Sequence, residues 1–302
     1  MRLVALLPLL LGAGTAAART TVVVLYDPAQ VPHVRFIAAF EEALAQQAPE
    51  ARLVLRPLGA ALPERRPRLL VAVGYEALKA ALPGEQPVLA VLVPRVTLEA
   101  AIARAGRRLA PDGTVTAVYL DQPPDRRMRL VRLILPGART LAVLLGPTSR
   151  RQRPALERAA RIQGLRLRIG EVGPADRPPR VAESLLPGTD GLLAVPDPLV
   201  YNRYTLHGIL LSAYHHHLPM FGFSKGYVRA GALAAVYSEP QDVARTAAEL
   251  IRSALRRRLP PPAYPRLFRV AVNRHVARSL AVTVPDERRL EALLRAAEER
   301  DR

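Results

Sequence analysis

The chain has 302 residues, 50% of them hydrophobic, which is enough to bury the cores of two ordinary domains. Its formal net charge is +18, but the arginines that carry this excess are spread along most of the predicted helices. No basic run is interleaved with aromatic residues that would stack on bases, so we expect no nucleic-acid partner. A solvated surface rich in arginine is the favoured interpretation, and attraction to an anionic membrane or an acidic partner is the alternative. The chain has no cysteine, which excludes disulfides and cysteine metal sites.

The first residues have the pattern of a secretory signal peptide. Arg2 precedes an apolar run over residues 3–11, and small residues follow up to Ala18. We therefore expect a signal peptide over residues 1–18, cleaved before the mature chain begins, and an exported protein. An uncleaved anchor is the alternative, although the apolar run is shorter than the roughly 20 residues that span a bilayer.

After this segment, short apolar runs alternate with amphipathic segments, which is typical of parallel strands alternating with helices. The first series of strands is predicted at residues 21–28, 51–58, 68–74, 87–94 and 115–124. Helices are predicted between them at residues 33–49, 75–82 and 97–105. The last strand runs into Pro123 and Pro124, so we place a crossing between two lobes at this point.

A second series repeats the alternation. Its strands are predicted at residues 140–146, 165–172, 191–197, 220–224, 232–238 and 267–273. Its helices are predicted at residues 125–137, 148–164, 178–188, from the loop after Asp197 to His217, and at 239–258, 273–280 and 285–300. We expect a Ser or Thr cap to open the helix at 148–164 and Gly164 to close it, with Pro154 limiting where the regular part begins. A Gly-rich turn is expected after residue 224, and residues 260–266 read as a Pro-rich linker.

Two successive series of this kind predict an α/β fold of two lobes, each with a parallel sheet, and a cleft between them. We predict an N-terminal lobe of residues 19–119 with 240–266. The C-terminal lobe would then contain residues 120–239 with 267–302.

Residues of the second series resemble a known family. They are Pro196-Asp197 after a buried strand, Ser224, Tyr227-Val228, Gly231-Ala232-Leu233, and Val272-Asn273 with Ala277. The sequence resembles ABC transporter substrate-binding proteins of the tryptophan/tyrosine-type family. This resemblance implies the type 1 periplasmic-binding-protein architecture, with two Rossmann-like lobes joined by hinge strands. It also implies a periplasmic monomer that closes on a small molecule and delivers it to an ABC permease in the inner membrane.

The first lobe departs from the family pattern. Members that bind aromatic amino acids look to have Ser/Thr-rich turns after the third and fourth strands, which would hold a carboxylate. Here the turns are Gly74-Tyr75-Glu76 and Pro94-Arg95-Val96-Thr97, where Arg95 is a possible source of charge. The sequence therefore leaves the identity of the ligand undetermined, and an aromatic or amino-acid-like molecule is one possibility.

Polar and aromatic residues at strand ends are the candidate ligand contacts, because ligands of open α/β sheets bind there. The first-lobe candidates are Tyr26, Asp27, Gly74, Tyr75 and Pro94. The second-lobe candidates are Asp197, Tyr201, Asn202, Phe223 and Ser224, with Tyr237 and Ser238 at a hinge. Rings suit a flat ligand, and the carboxylate and amide suit its polar edges. Alternatively, Asp197 and Asn202 cap the following helix, Tyr201 packs in the core, and Asp27 is a turn residue.

Other classes of site have weaker support. Three consecutive helical residues point about 100° apart, so His215, His216 and His217 would not converge on one metal ion, and we predict neither a metal nor a cofactor. There is no G-x-S-x-G elbow, Walker-type phosphate loop or G-x-G-x-x-G opening the first helix, so we predict that the protein is not an enzyme. The alternative function is ligand sensing by the same fold, with signalling to a membrane receptor kinase or cyclase.

Overall fold

Two β-sheets organise the chain, which a computed structural model describes over residues 20–60, 67–256 and 258–301. The predicted signal peptide, residues 1–18, lies outside these ranges. Within them, no helix combines the length and the apolar character needed to cross a bilayer.

The first sheet is parallel throughout. Its strands are β1 (Thr20–Tyr26), β2 (Ala51–Pro57), β3 (Leu69–Val73), β4 (Val88–Val93) and β5 (Val115–Tyr119). They lie in the order β2-β1-β3-β4-β5, with helices α1 (Val31–Gln47), α2 (Tyr75–Ala81) and α3 (Arg95–Arg104) connecting them. All five residues of β3 are buried, as expected for a continuous apolar run in a parallel sheet covered on both faces.

The second sheet contains six strands. They are β6 (Thr140–Leu145), β7 (Arg166–Glu171), β8 (Gly191–Leu193), β9 (Met220–Gly222), β10 (Ala234–Tyr237) and β11 (Arg269–Val272). Their order is β11-β10-β9-β8-β6-β7, and β11 alone is antiparallel to its neighbour. The helices that follow β5 along the chain are α4 (Pro124–Ile134), α5 (Arg153–Ile162), α6 (Pro178–Leu185), α7 (Leu206–His215), α8 (Lys225–Ala230), α9 (Pro240–Arg256), α10 (Arg274–Ser279) and α11 (Glu287–Arg300).

The predicted α/β fold with two parallel-sheet lobes is thus confirmed, with β11 as the one antiparallel addition. Helix α9 returns to the first sheet, because its apolar face packs with Phe36 and Phe40 of α1 in a single buried cluster. The chain then crosses back to form β11, so three segments connect the lobes. They lie between β5 and α4, between β10 and α9, and between α9 and β11.

Two local predictions were wrong. Residues 225–230 form the short helix α8 rather than a Gly-rich turn, because the Ser224 hydroxyl accepts the Tyr227 N–H and Gly231, with φ +128°, ends the helix. The Ser or Thr cap predicted for the helix at 148–164 is absent, whereas its regular part begins at Arg153, where Pro154 was expected to limit it, after a short 3₁₀ turn. The Ser149 hydroxyl accepts the Gly146 N–H instead of capping α5.

The three connecting segments are tied together by one buried hydroxyl. Ser238, between β10 and α9, accepts a hydrogen bond from the Gln122 amide at 2.9 Å and donates one to the Leu267 carbonyl at 2.6 Å. Gln122 lies between β5 and α4, and Leu267 directly precedes β11. The buried guanidinium of Arg126 continues this network, donating to the side-chain oxygen of Gln122 and to the Pro265 carbonyl.

We expect Ser238→Ala to lower the free energy of unfolding by about 1–3 kcal/mol, because the substitution leaves two buried polar groups without a partner. Urea denaturation followed by circular dichroism measures this loss. Ser184→Ala is the matched control, since Ser184 is exposed and bonds only the nearby Val181 carbonyl. Its expected change is within about 0.5 kcal/mol. Equal losses in the two variants would contradict a special role for Ser238.

Candidate functional site

A cavity of about 550 Å³ lies between the two lobes at the ends of their strands. The first lobe contributes Pro32, His33 and Arg35 of α1 and Leu92 of β4, and the second contributes Ser224 with Lys225, Gly226 and Arg229 of α8. The connecting segments contribute Leu120 and residues 237–240. Other cavities of similar size lie elsewhere, for example one of about 590 Å³ beside α1 and α9. We take the interlobe cavity as the candidate ligand site because it lies at the strand ends of both sheets.

His33 organises the first-lobe wall. Its Nδ1 accepts the N–H of Asp27 at 3.2 Å, so the neutral ring carries its proton on Nε2. Burial lowers the pKa of His33, and the nearby Asp27 opposes this shift only in part. Gly74, with φ +83°, lies against the same ring, and a Cβ at this position would be 2.6 Å from His33 Nε2. Glycine is therefore required at residue 74 by both conformation and space.

The other first-lobe candidates do not line the cavity. Tyr26 ends β1 and packs against the cluster of α1 and α9, while the Asp27 carboxylate accepts the Ala29 N–H at 3.0 Å within the turn before α1. Tyr75 begins α2 and packs with the core beside it. Pro94 precedes α3, and its carbonyl accepts the Leu98 N–H. These residues support the wall, whereas His33 and Arg35 form its surface.

Asp197 and Asn202 hold the loops that follow β6 and β8. The Asp197 carboxylate is 2% exposed and accepts the N–H groups of Thr148, Ser149 and Leu199 at 2.8–3.1 Å. The Asn202 side chain accepts the Tyr204 N–H at 2.9 Å and donates to the Pro198 carbonyl at 3.0 Å. No side chain caps α7, so the expected alternative of a helix cap does not describe either residue.

Three aromatic rings pack together on the second lobe. The Phe223 and Tyr227 ring centroids are 4.1 Å apart, and Tyr201 meets both rings edge-on at 6.2 Å and 6.3 Å. Tyr201 is 5% exposed and its hydroxyl has no hydrogen-bond partner, whereas Phe223 is half-buried and adjoins Ser224 at the cavity. Phe223 is therefore the ring of this cluster that is placed to approach a ligand.

A buried cation lies at the cleft end of the second sheet. Arg127 of α4 is 4% exposed and donates to the Ala194 carbonyl just beyond β8, while its Nε has no partner. Among the described residues no carboxylate lies within 4 Å of this guanidinium. Burial lowers the pKa of Arg127 to about 10, and Asp121 partly opposes the shift. The Asp121 carboxylate accepts the Arg95 N–H at 2.7 Å, and burial raises its pKa.

Three of the candidates line the cavity: Ser224 at the start of α8, and Tyr237 and Ser238 at the predicted hinge. Tyr237 is half-buried, and its burial raises the pKa of its hydroxyl. Ser224 and Ser238 already make the internal hydrogen bonds described above. Of the twelve candidates named from the sequence, these three lie at the cavity surface, and Phe223 adjoins them. His33, Arg35, Lys225 and Arg229 were missed, although the position of the first two just after β1 could have drawn attention to them.

The residues that the structure describes contain no group of three or more His, Asp or Glu side chains able to hold a metal ion. In the histidine run, His216 Nε2 lies 2.7 Å from a carboxylate oxygen of Glu183.

Comparison with known proteins agrees with a two-lobed binding architecture. Residues 68–298 match the family described as ABC transporter substrate binding protein. The chain belongs to this family. Its members bind substrates for ABC transporters, which is the role of a binding protein rather than of an enzyme, and they are typically periplasmic. No curated protein matches the chain.

Solved structures share the fold at low sequence identity. A Streptococcus pneumoniae ABC domain in complex with L-Trp is 16% identical with TM-score 0.60, covering 89% of this chain and 96% of the other. The ligand-free, open structure of a substrate binding protein with adhesive properties from Clostridium difficile is 17% identical with TM-score 0.67, covering 88% and 96%. A conserved domain protein from Vibrio cholerae is 16% identical with TM-score 0.60, covering 89% and 96%. At these identities the likeness shows the periplasmic-binding-protein type 1 fold alone.

We expect Asp197→Asn to lower the free energy of unfolding by about 1.5–3 kcal/mol, because an amide cannot accept from all three N–H groups and loses the charge that strengthens them. Thermal and urea denaturation measure the effect. The matched control is Asp176→Asn, whose carboxylate accepts one N–H, from Gly173, in an exposed loop. A loss in Asp176→Asn as large as that in Asp197→Asn would refute the assignment of Asp197 as the organiser of both loops.

Proposed function

We propose that the protein captures a small molecule in the interlobe cavity by domain closure and delivers it to an ABC permease. The observation that carries this proposal is the cavity itself, whose lining comes from α1, from α8 and from the connecting segments. A ligand that contacts both walls binds more tightly when the lobes approach each other, and this differential affinity is what shifts the population toward a closed form.

The moving units in this proposal are residues 19–119 with 240–266 and residues 120–239 with 267–302. The boundaries fall in the three connecting segments, where few residues pass between the sheets. The buried network around Ser238 and Gln122 holds these segments together, so closure would be a rotation about this point.

We propose that the ligand is flat or partly apolar, in keeping with an aromatic or amino-acid-like molecule. Tyr237 is a half-buried ring that lines the cavity, and the half-buried ring of Phe223 adjoins it next to Ser224. The remaining candidates, Tyr26, Asp27, Gly74, Tyr75, Pro94, Asp197, Tyr201 and Asn202, would act by shaping the walls.

A screen by thermal shift against amino acids, purines, nucleosides and small organic anions identifies the ligand, because a molecule that binds only the folded state raises Tm. We expect Phe223→Ala to weaken binding of that ligand by about 1–3 kcal/mol, through loss of a ring contact. Isothermal titration calorimetry measures the affinity, and the radius of gyration from small-angle scattering should fall when the ligand is added.

Tyr214→Ala is the matched control for Phe223→Ala, since Tyr214 is 54% exposed on α7 and lies outside the cavity. Its affinity should equal that of the unmodified protein. Unchanged affinity in Phe223→Ala would refute the placement of the site, and binding without compaction would refute closure.

Export is part of the proposed function and depends on the apolar run at residues 3–11. We expect Leu9→Arg to abolish export, because a charge in this run prevents recognition as a signal peptide. Cell fractionation with an antibody against the mature chain measures the distribution. Val31→Arg is the control, because it adds the same charge outside the apolar run, at an exposed helix start. Continued export of the Leu9→Arg protein would contradict the signal peptide.

A further inference from the structure

The interlobe cavity has an unbalanced charge. Arg35 contributes a permanent cation from the first lobe, and Lys225 and Arg229 contribute two from the second. Glu239 is the one carboxylate among the lining residues. Among the described residues, none of the three cations has a carboxylate within 4 Å, so their charges are not neutralised by ion pairs within the protein.

Excess positive charge is not confined to this cavity. The groove between α4 and α11 contains Arg129, Arg132 and Arg300 with one carboxylate, Asp301, and the groove beside α1 and α9 contains Arg245 as well as the Arg266–Glu249 pair at 3.2 Å. The interlobe cavity differs in the placement of its cations, which lie on walls contributed by both lobes.

Cations on facing walls repel each other when the lobes approach, since charges interact over about 8 Å at physiological ionic strength. An anion between them replaces this repulsion with attraction to both walls. The buried charge of Arg127 at the cleft end of the second sheet, which Asp121 offsets only in part, adds to the same positive potential. A neutral ligand would leave the repulsion in place, and a cation would increase it.

Arg35 is the donor that the first wall offers to such a ligand. The His33 ring also lines the cavity, but its Nδ1 accepts the Asp27 N–H and its Nε2 lies against Gly74. A carboxylate accepts hydrogen bonds only, and the arginine guanidinium donates them.

We propose that the ligand of the interlobe cavity carries a net negative charge, and that its carboxylate or similar anionic group bridges Arg35 on one lobe with Lys225 and Arg229 on the other. This inference rests on the proposed function, because it names the chemical class of the molecule captured in that cavity. The occupant is thus an organic anion, and the bridging contact is what favours the closed form.

The test uses a series of small molecules that share one ring and differ in charge. The probes are 3-(4-hydroxyphenyl)propanoate, its neutral amide, zwitterionic L-tyrosine and cationic tyramine, with succinate and succinamide as a pair without a ring. Each is added to the mature chain, and Tm and calorimetric affinity are measured. We expect the propanoate or succinate to bind at least about ten-fold more tightly than its amide, and tyramine not to bind.

Charge variants then locate the contact. Arg35→Gln and Lys225→Gln should each weaken binding of the anionic probe on the order of ten-fold while leaving Tm of the free protein nearly unchanged, since both side chains are exposed. Arg161→Gln, an exposed arginine in the last turn of α5, makes the same change in net charge outside the cavity and should bind as the unmodified protein does.

Three results would overturn the inference. If an amide or tyrosine binds as tightly as the matched anion, the ligand is not restricted to anions. If Phe223→Ala also weakens binding of that amide or of tyrosine, the proposed capture of a small molecule in the cavity still holds. An equal effect of Arg161→Gln and Arg35→Gln would show general attraction by the basic surface rather than a bridging contact. No binding by any probe, together with no small molecule released on denaturation of the purified protein, would overturn both this inference and the proposed function.

Discussion

The buried hydroxyl of Ser238 is the contact on which the two-lobed arrangement depends. Each connecting segment leaves one sheet and enters the other, and on its own would leave buried polar groups unpaired. Ser238 resolves this by accepting from Gln122 and donating to the Leu267 carbonyl, so all three segments share one point. The Arg126 guanidinium extends the network to the Pro265 carbonyl and to Glu298 of α11. In the closure that we propose, these bonds lie at the pivot rather than on the lobe surfaces, so a change in the angle between the lobes need not break them.

The two walls of the cavity are built by different means, although both lobes have the same strand-end plan. In the second lobe, the Asp197 carboxylate gathers three N–H groups and fixes the loops after β6 and β8. In the first lobe, the His33 ring fills the space above Gly74 and accepts the Asp27 N–H. Both arrangements satisfy backbone groups at strand ends that would otherwise need water. A consequence is that the residues best suited by chemistry to hold a ligand, Asp197 above all, are occupied by the protein itself.

The alternation of apolar runs and amphipathic segments was sufficient to predict the α/β fold, because buried parallel strands such as β3 are continuous apolar sequences. It could not predict α8, since a six-residue helix containing Gly226 has no periodicity to detect, and its stability comes from the Ser224 cap and Gly231. Three of the residues named from strand ends, Ser224, Tyr237 and Ser238, line the cavity. The strand-end rule could not distinguish residues that line the cavity from residues that support its walls, because this depends on which side chains already make hydrogen bonds or contacts within the protein. Arg127 could not be predicted for another reason: in a chain so rich in arginine, nothing in the sequence marks one that is buried with no carboxylate within 4 Å among the described residues.

The distribution of charge gives the cavity a role in closure as well as in recognition. A ligand shifts a conformational equilibrium only by the difference in its affinity for the two states. A molecule held by the second lobe alone, for example against Phe223, would bind the open and closed forms equally and leave the equilibrium unchanged. In the mechanism that we propose, Arg35 on one wall and Lys225 and Arg229 on the other repel each other in the empty cavity, and an anion between them attracts both walls. The same three side chains would then oppose closure of the unliganded protein and favour closure of the liganded one, so the closed form would report that the cavity is occupied.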